Sequence, residues 1–346
     1  MNKKYLSKTM AALMLCTSFV AFANADKPTV KIYATGGTIA GSSESNMDTT
    51  DYQAGKIGVD LLISAVPELK DFAHVVGEQI ANTDSNNINQ NILLKLSRAI
   101  NLQLADAKTS GVVVTHGTDT LEETAFFLDL TVKSDKPVVI VGAMRPATAI
   151  SADGGMNLLE AVRLASDDDA KHRGAMVVLN DRIGSAFYTT KTNSTMLDTF
   201  KATEQGYLGA FLSGEPHFYY EPTKPVDKPY FDISHVKQLP KVKILYSYQD
   251  QDPALLHAAI KDGAKGIVIA GTGNGSLSDV MLEAVQETMD KGIPVVRSTR
   301  TGNGFVTPKQ EGIGSGVYNP QKAKVLLSLA LAHGDNLQTI RNYFEN

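Results

Sequence analysis

Short apolar runs alternate with longer segments of helical period along most of the chain. Five short runs rich in β-branched and other apolar residues, 30–34, 75–80, 111–115, 137–141 and 175–179, read as strands. Between the second and third, Ile88, Ile92, Leu93, Leu96, Ala99 and Ile100 recur three and four residues apart, which predicts a helix over 88–104. Residues 121–132 and 156–165 read as further helices. The texture changes after about Phe211. The stretch 215–240 holds five prolines and scattered charges with no sustained period, and reads as a linker. A second alternation runs through 242–246, 255–260, 266–270, 277–289 and 293–296, and a helix over 321–332 closes the chain. This order predicts an α/β protein of two domains, a larger N-terminal one with a mostly parallel sheet flanked by helices and a smaller C-terminal α/β domain. The expected boundaries are 26–219 and 242–346, with 220–241 linking them.

The first 25 residues stand outside this pattern. Lys3, Lys4 and Lys8 precede the apolar stretch 10–22, and Ala23-Asn24-Ala25 fits a small-residue cleavage site. Residues 1–25 are therefore expected to be a secretory signal, cut after Ala25, with the mature protein exported to the periplasm. The apolar stretch is too short and too interrupted for a membrane span, and nothing else in the chain is long enough, so no membrane association is expected after its removal. Cys16 invites a lipoprotein reading, but Met14 and Leu15 stand where small residues are needed. Cleavage takes the formal net charge from −4 to −7 and removes the only cysteine. The mature chain then has no disulfide, although an exported compartment permits one. Mild acidity without a basic tract argues against nucleic acid as a partner.

In open parallel sheets ligands bind beyond the carboxyl ends of the strands. Three loops fall there: GGT (36–38) after the first strand, THGTD (115–119) after the third and GAMRP (142–146) after the fourth. A glycine pair after a strand signals a close backbone approach, usually to a phosphate. The spacing rules that out. Counting from Gly36, the third position of a dinucleotide loop is Thr38, and Gly41 is followed by Ser42 rather than the lysine of a P-loop. No HExxH, no paired cysteines and no Gly-x-Ser-x-Gly elbow occur, so the residues suggest neither a metal site nor a serine hydrolase.

What remains is two threonines behind glycines, Thr38 and Thr118, with Asp119 beside the second. A threonine hydroxyl attacks only when a neighbour takes its proton. Tyr52 in DYQAGKIG and Lys191 in TTKTN are the candidates. A lysine becomes a base only where burial lowers its pKa, and a nearby carboxylate opposes that. Each residue also has a plain alternative. Thr38 can cap a turn, and Asp119 with Glu122 resembles a helix cap with its third-position acid. Lys191 can be a solvated side chain, and His116 a packed residue at a strand end. Ser276 with Asp279 fits a capping box, and Asn86 can cap the helix starting near Ile88.

Taken together, ATGGTIAG (34–41) and GVVVTHGTDTLEETAFFLDL (111–130) resemble the two signature stretches of the bacterial L-asparaginase family. The leader, GAMRP, SADGGMNL (151–158), TKTN (190–193) and NPQKA (319–323) make the chain similar to its secreted type II branch. The resemblance covers essentially the whole mature chain. It implies that Thr38 is the nucleophile toward a side-chain amide, assisted by Tyr52 in a lid loop, with Thr118, Asp119 and Lys191 as a second catalytic group. It further implies that Ser85 holds the substrate α-carboxylate and Asp119 its α-ammonium. Homotetramers with sites at subunit interfaces are common in the family, and Glu311 best matches the acid contributed across the interface. The chain departs from the family pattern at several points. Asn86 stands where glutamine or glutamate is familiar, and Ser276 where asparagine or serine occurs, both near the substrate. PKQEGIGSG (308–316) is several residues shorter, and the disulfide of some members is absent.

The activity expected is hydrolysis of L-asparagine to L-aspartate and ammonia without a cofactor or metal, with slower hydrolysis of L-glutamine. A glutaminase-asparaginase without strong preference is the alternative within the class. A periplasmic amino-acid-binding protein is the alternative outside it.

Overall fold

The computed structural model describes residues 27–49 and 53–345. The leader with Cys16, and Tyr52, lie outside the described residues. The first sheet has eight strands in the order β10-β9-β6-β5-β4-β3-β1-β2. Its parallel part comprises β1 (Thr29–Gly36), β2 (His74–Thr83), β3 (Thr109–Thr115), β4 (Val138–Val141) and β5 (Ala175–Leu179). An antiparallel extension adds β6 (Arg182–Ser185), β9 (Gly209–Leu212) and β10 (Glu215–Phe218). The short pair β7 (Thr190–Lys191) and β8 (Phe200–Lys201) stands apart. The second sheet is parallel, β11-β12-β13-β14, from Val242–Tyr246, Gly266–Gly271, Val295–Thr299 and Ile313–Gly314. The helices are α1 (Val59–Ser64), α2 (Leu69–Phe72), α3 (Gln90–Leu104), α4 (Leu121–Thr131) and α5 (Gly154–Ser166) with the first sheet. With the second are α6 (Ala254–Lys261), α7 (Asp279–Asp290), α8 (Pro320–His333) and α9 (Leu337–Glu345).

Strands β1, β3, β4 and β5 are buried on both faces, as a parallel sheet under two helical layers requires, whereas β2, the run 75–80, is the edge strand and is largely exposed. Alternate residues divide between two cores. Tyr33, Val112, Val114 and Ile140 face α3 and α4, while Ile32, Val113, Val139 and Val141 face α1 and α5. The first of these cores continues into the second sheet through Val268, Val296 and Leu326. Phe126, Phe187, Tyr318 and Phe344 carry it across, with successive ring centroids 5.4–5.7 Å apart. Helix α4 is therefore buried nearly all round, which explains its lack of a polar face.

The two-domain α/β layout matches the expectation from the sequence, with local corrections. The stretch read as a linker begins as a strand, β10, hydrogen-bonded to β9. Helix α8 does not close the chain. It stops at Gly334, whose φ of 85° is the left-handed conformation of a helix end, and α9 follows. Strands β6 to β9 were not legible because they are two to four residues long. Strand order 2-1-3-4-5 makes the chain leave β1 in one direction and return on its other side to β3. The crevice at that reversal, between the carboxyl ends of β1 and β3, is where such sheets bind ligands.

Candidate active site

Gly36 and Gly37 end β1 with φ of 104° and 81°, turning the chain sharply into a single 3-10 turn, Thr38–Ala40. Their missing side chains serve the protein's own backbone first. A Cβ on Gly37 would lie 2.2 Å from the Gly117 nitrogen, and one on Gly36 would lie 2.4 Å from the Thr83 carbonyl oxygen. The loop after β1 thus packs backbone to backbone against the loop after β3, and Thr38 and Thr118 each sit one residue beyond that contact. Thr38 is buried and opens the turn whose cap is Gly37, so it is not itself a cap.

Thr118 is buried at the end of β3. A Cβ on Gly142 would meet its methyl at 3.1 Å, so the methyl lies against the loop after β4. Its hydroxyl accepts a hydrogen bond from Lys191 Nζ at 3.0 Å. The same ammonium donates to Asp119 Oδ1 at 2.6 Å. The pair is asymmetric, with the lysine side chain 12% exposed and the aspartate 58%. The hydrogen bond from Lys191, with its charge, holds the Asp119 carboxyl below the usual carboxylate range, against partial burial. A carboxylate anchored on one oxygen and open on the outside can still receive a cation. A cleft of about 510 Å³ opens over Thr118, Asp119 and Lys191, with Met144 and Arg145 on its wall. Asp153 fixes that wall by accepting from the backbone nitrogens of both residues at 2.9 and 3.0 Å.

Ser85 is buried in the 3-10 turn Ser85–Asn87, where a Cβ on Gly117 would touch its side chain at 2.9 Å. Thr120 ties this turn down by donating to the Ser85 carbonyl at 2.8 Å. Asn86 Nδ2 donates to Asp84 at 2.9 Å and reaches Asp119 Oδ2 at 3.5 Å. The capping alternatives fail on geometry. Asn89, not Asn86, caps α3 by accepting from Asn91 and Ile92. Thr120 is the cap residue of α4, so Asp119 is left for Lys191, and Glu122 makes no capping box. Ser278 is the cap residue of α7, two positions past Ser276. Nor is Lys191 solvated.

His116 is fully buried. Since a carbonyl only accepts, its Nδ1–H donates to the Gly117 oxygen at 2.7 Å, leaving Nε2 to accept from the Thr124 hydroxyl at 2.8 Å. Burial pushes its pKa down to about 4, although the Gly117 carbonyl and Asp84 pull the other way. It is a neutral brace for the loop carrying Thr118.

Ser276 and Glu311 lie in the second domain on either side of the buried Arg297. That guanidinium donates to the Glu311 carbonyl at 2.6 Å and the Gly275 carbonyl at 3.1 Å. Among the described residues, no hydrogen bond or ion pair joins Ser276 or Glu311 to Thr118, Asp119 or Lys191. The sequence reading also passed over a polar group beside Lys191, made of buried Glu122 and Lys322 with partly buried Thr190, Asn319 and Gln321. One signal for it was available, since Lys322 falls on the buried stripe of α8 with Val325, Leu326 and Leu329.

Comparison with known proteins identifies the family. Residues 29–224 match the family model described as "Asparaginase, N-terminal", and residues 241–344 match "Glutaminase/Asparaginase C-terminal domain". The chain is 53% identical to L-asparaginase 2 of Bacillus subtilis over 97% of its own length and 91% of that protein. It is 43% identical to a probable periplasmic L-asparaginase of Haemophilus influenzae, over 97% of its length and 99% of that protein. The crystal structure of a probable cytoplasmic L-asparaginase from Campylobacter jejuni superposes with a TM-score of 0.88 at 46% identity, covering 92% of this chain and 99% of that one. Relatives named for both compartments are therefore similar to it, and similarity does not select the branch. With both family domains matched in order along the chain, it belongs to the asparaginase family.

Proposed function

We propose that the protein hydrolyses the side-chain amide of L-asparagine to L-aspartate and ammonia. The observation that carries this reading is Lys191 Nζ placed 3.0 Å from the Thr118 hydroxyl and 2.6 Å from Asp119, next to the loop that presents Thr38. Thr38 Oγ attacks the amide carbon, and its proton passes to the leaving nitrogen as the carbon–nitrogen bond breaks and ammonia departs. Water then attacks the resulting ester, the bond to Thr38 Oγ breaks, and the hydroxyl is restored as aspartate leaves. Thr118 relays protons with Lys191 as its support, and Tyr52 assists Thr38. The open side of Asp119 receives the α-ammonium, and Ser85 the α-carboxylate.

The same reading extends to substrate range, export and assembly. Glutamine is a slower substrate, the mature chain starts at Asp26 in the periplasm, and a homotetramer brings Glu311 from a neighbouring subunit to each site. Residues 26–219 and 242–346 form the two domains, joined by 220–241. The deciding experiment is ammonia release from asparagine and glutamine side by side, with the exported protein's mass measured in parallel. Faster release from asparagine is expected. Binding of asparagine without ammonia would mark an amino-acid-binding protein, and preference for glutamine would overturn the substrate.

A further inference from the structure

Lys191 sits on a strand of two residues, paired among the described residues with β8 alone, and such a pair is marginal without outside support. The support comes from the second domain. The chain reaches β7 through a turn whose carbonyls at Ala186, Phe187 and Thr189 converge on Lys322 Nζ at 3.3, 2.7 and 2.8 Å. Lys322 is buried in the first turn of α8, and its three donors meet three acceptors. Burial lowers its pKa to about 8, so at neutral pH it is still mainly the ammonium those carbonyls require. The next residue, Thr190, donates its hydroxyl to Glu122. Glu122 also accepts from Asn319 at 3.0 Å and from Gln321 at 3.2 Å. Asn319 in turn caps α8 by accepting from the Lys322 nitrogen at 2.9 Å.

Two ends of one catalytic contact are thereby fastened to the same body. Glu122 stands in the first turn of α4, four residues after Thr118, and Thr190 stands immediately before Lys191. We propose that the hydrogen-bonded group of buried Glu122 and Lys322 with partly buried Thr190, Asn319 and Gln321 is a clamp through which the second domain positions Lys191 on Thr118. Cohesion between the domains is already supplied next door by Phe126, Phe187 and Tyr318. Buried ions add little net stability over apolar packing, so their presence here is better explained by the geometry they enforce. These five are positioning residues. They act through Lys191 and extend the threonine–lysine reading given above, on which the proposal rests.

The test is Thr190→Val, which keeps the side-chain shape and removes the hydroxyl bonded to Glu122, with Thr190→Ser as the conservative partner. The expected result is a loss of about 10- to 100-fold in kcat for asparagine with KM changed less than about threefold, because Ser85 is tied down by Thr120 and the Asp119 backbone by the turn into α4, both outside β7. Thr190→Ser should recover most of the rate, and both variants should unfold within a few degrees of the wild type. Lys322→Met should show the same kcat loss wherever it folds. An unchanged kcat in Thr190→Val, no recovery in Thr190→Ser, or a loss that tracks unfolded protein overturns the clamp. A crystal structure of Thr190→Val separates this from failure of the substrate reading. The Lys191–Thr118 distance should open beyond hydrogen-bond range whatever the substrate, and its retention near 3.0 Å refutes the clamp even if wild type releases ammonia.

Discussion

Replacing Gly37 with alanine probes the contact that brings the two threonine loops together. The new Cβ would lie 2.2 Å from the Gly117 nitrogen, 2.3 Å from its Cα and 2.8 Å from the His116 carbonyl carbon, all backbone atoms that no rotamer change can move. Ordinary contact begins near 3.4 Å, so the loops must part by roughly 1 Å at the point between Thr38 and Thr118. A misplacement of that size in a catalytic constellation costs about 100-fold in rate. The residue's φ of 81° with ψ of −171° lies in a region open essentially only to glycine, and adds about 1–3 kcal/mol of backbone strain for alanine. Gly334→Ala is the control for a positive φ without a clash, because Gly334 sits in the milder left-handed region (φ 85°, ψ 22°) with open space where its Cβ would sit. The assay is kcat/KM for asparagine by ammonia release, with thermal unfolding of both variants. Gly334→Ala should lose about 1 kcal/mol and keep its activity, while Gly37→Ala should lose about two powers of ten in kcat/KM. A folded Gly37→Ala retaining more than about a tenth of wild-type activity would refute the claim that this backbone contact sets the catalytic geometry.

Thr38→Ala or Thr118→Val should each lower kcat by several powers of ten while leaving the fold intact, and more than about a tenth of wild-type rate in both would rule out the threonine mechanism. His116 has its folded pKa lowered to about 4 from an ordinary 6.5, so its contribution to stability is present above pH 6.5 and is lost as pH falls toward 4. Urea titrations should show wild type losing about 2 kcal/mol more than His116→Gln between pH 6.5 and 5, and equal losses would mean the imidazole is not held neutral. Asn86→Gln lengthens the side chain that reaches Asp119, so it should change the asparagine-to-glutamine ratio of kcat/KM. The two substrates differ by one methylene, which is typically worth about 10- to 200-fold, and an unchanged ratio would remove Asn86 from the substrate pocket.

The central strands and the two-domain order were legible in the sequence because both faces of the inner parallel strands are buried. Unbroken apolar runs such as 111–115 and 137–141 follow directly from that burial. Helix α3 was legible for the complementary reason, since one face meets the sheet and the other meets water. Beyond that, the sequence offered Thr38, Asp119 and Lys191 with two uses each. Local chemistry cannot separate a cap from a site residue, because both need a short polar side chain at the start of a helix. Tertiary structure separated them by supplying partners. Lys191 comes from 72 residues away to claim Asp119, and Asn89 takes the cap that Asn86 was a candidate for. Lys322 shows the limit most clearly. On its own helix it is a charge misplaced on an apolar stripe, and only the turn 186–189, brought from the other domain, supplies the three carbonyls that make its burial favourable. Periodicity reports how each segment meets water, whereas a buried polar contact depends on which distant segment arrives opposite it.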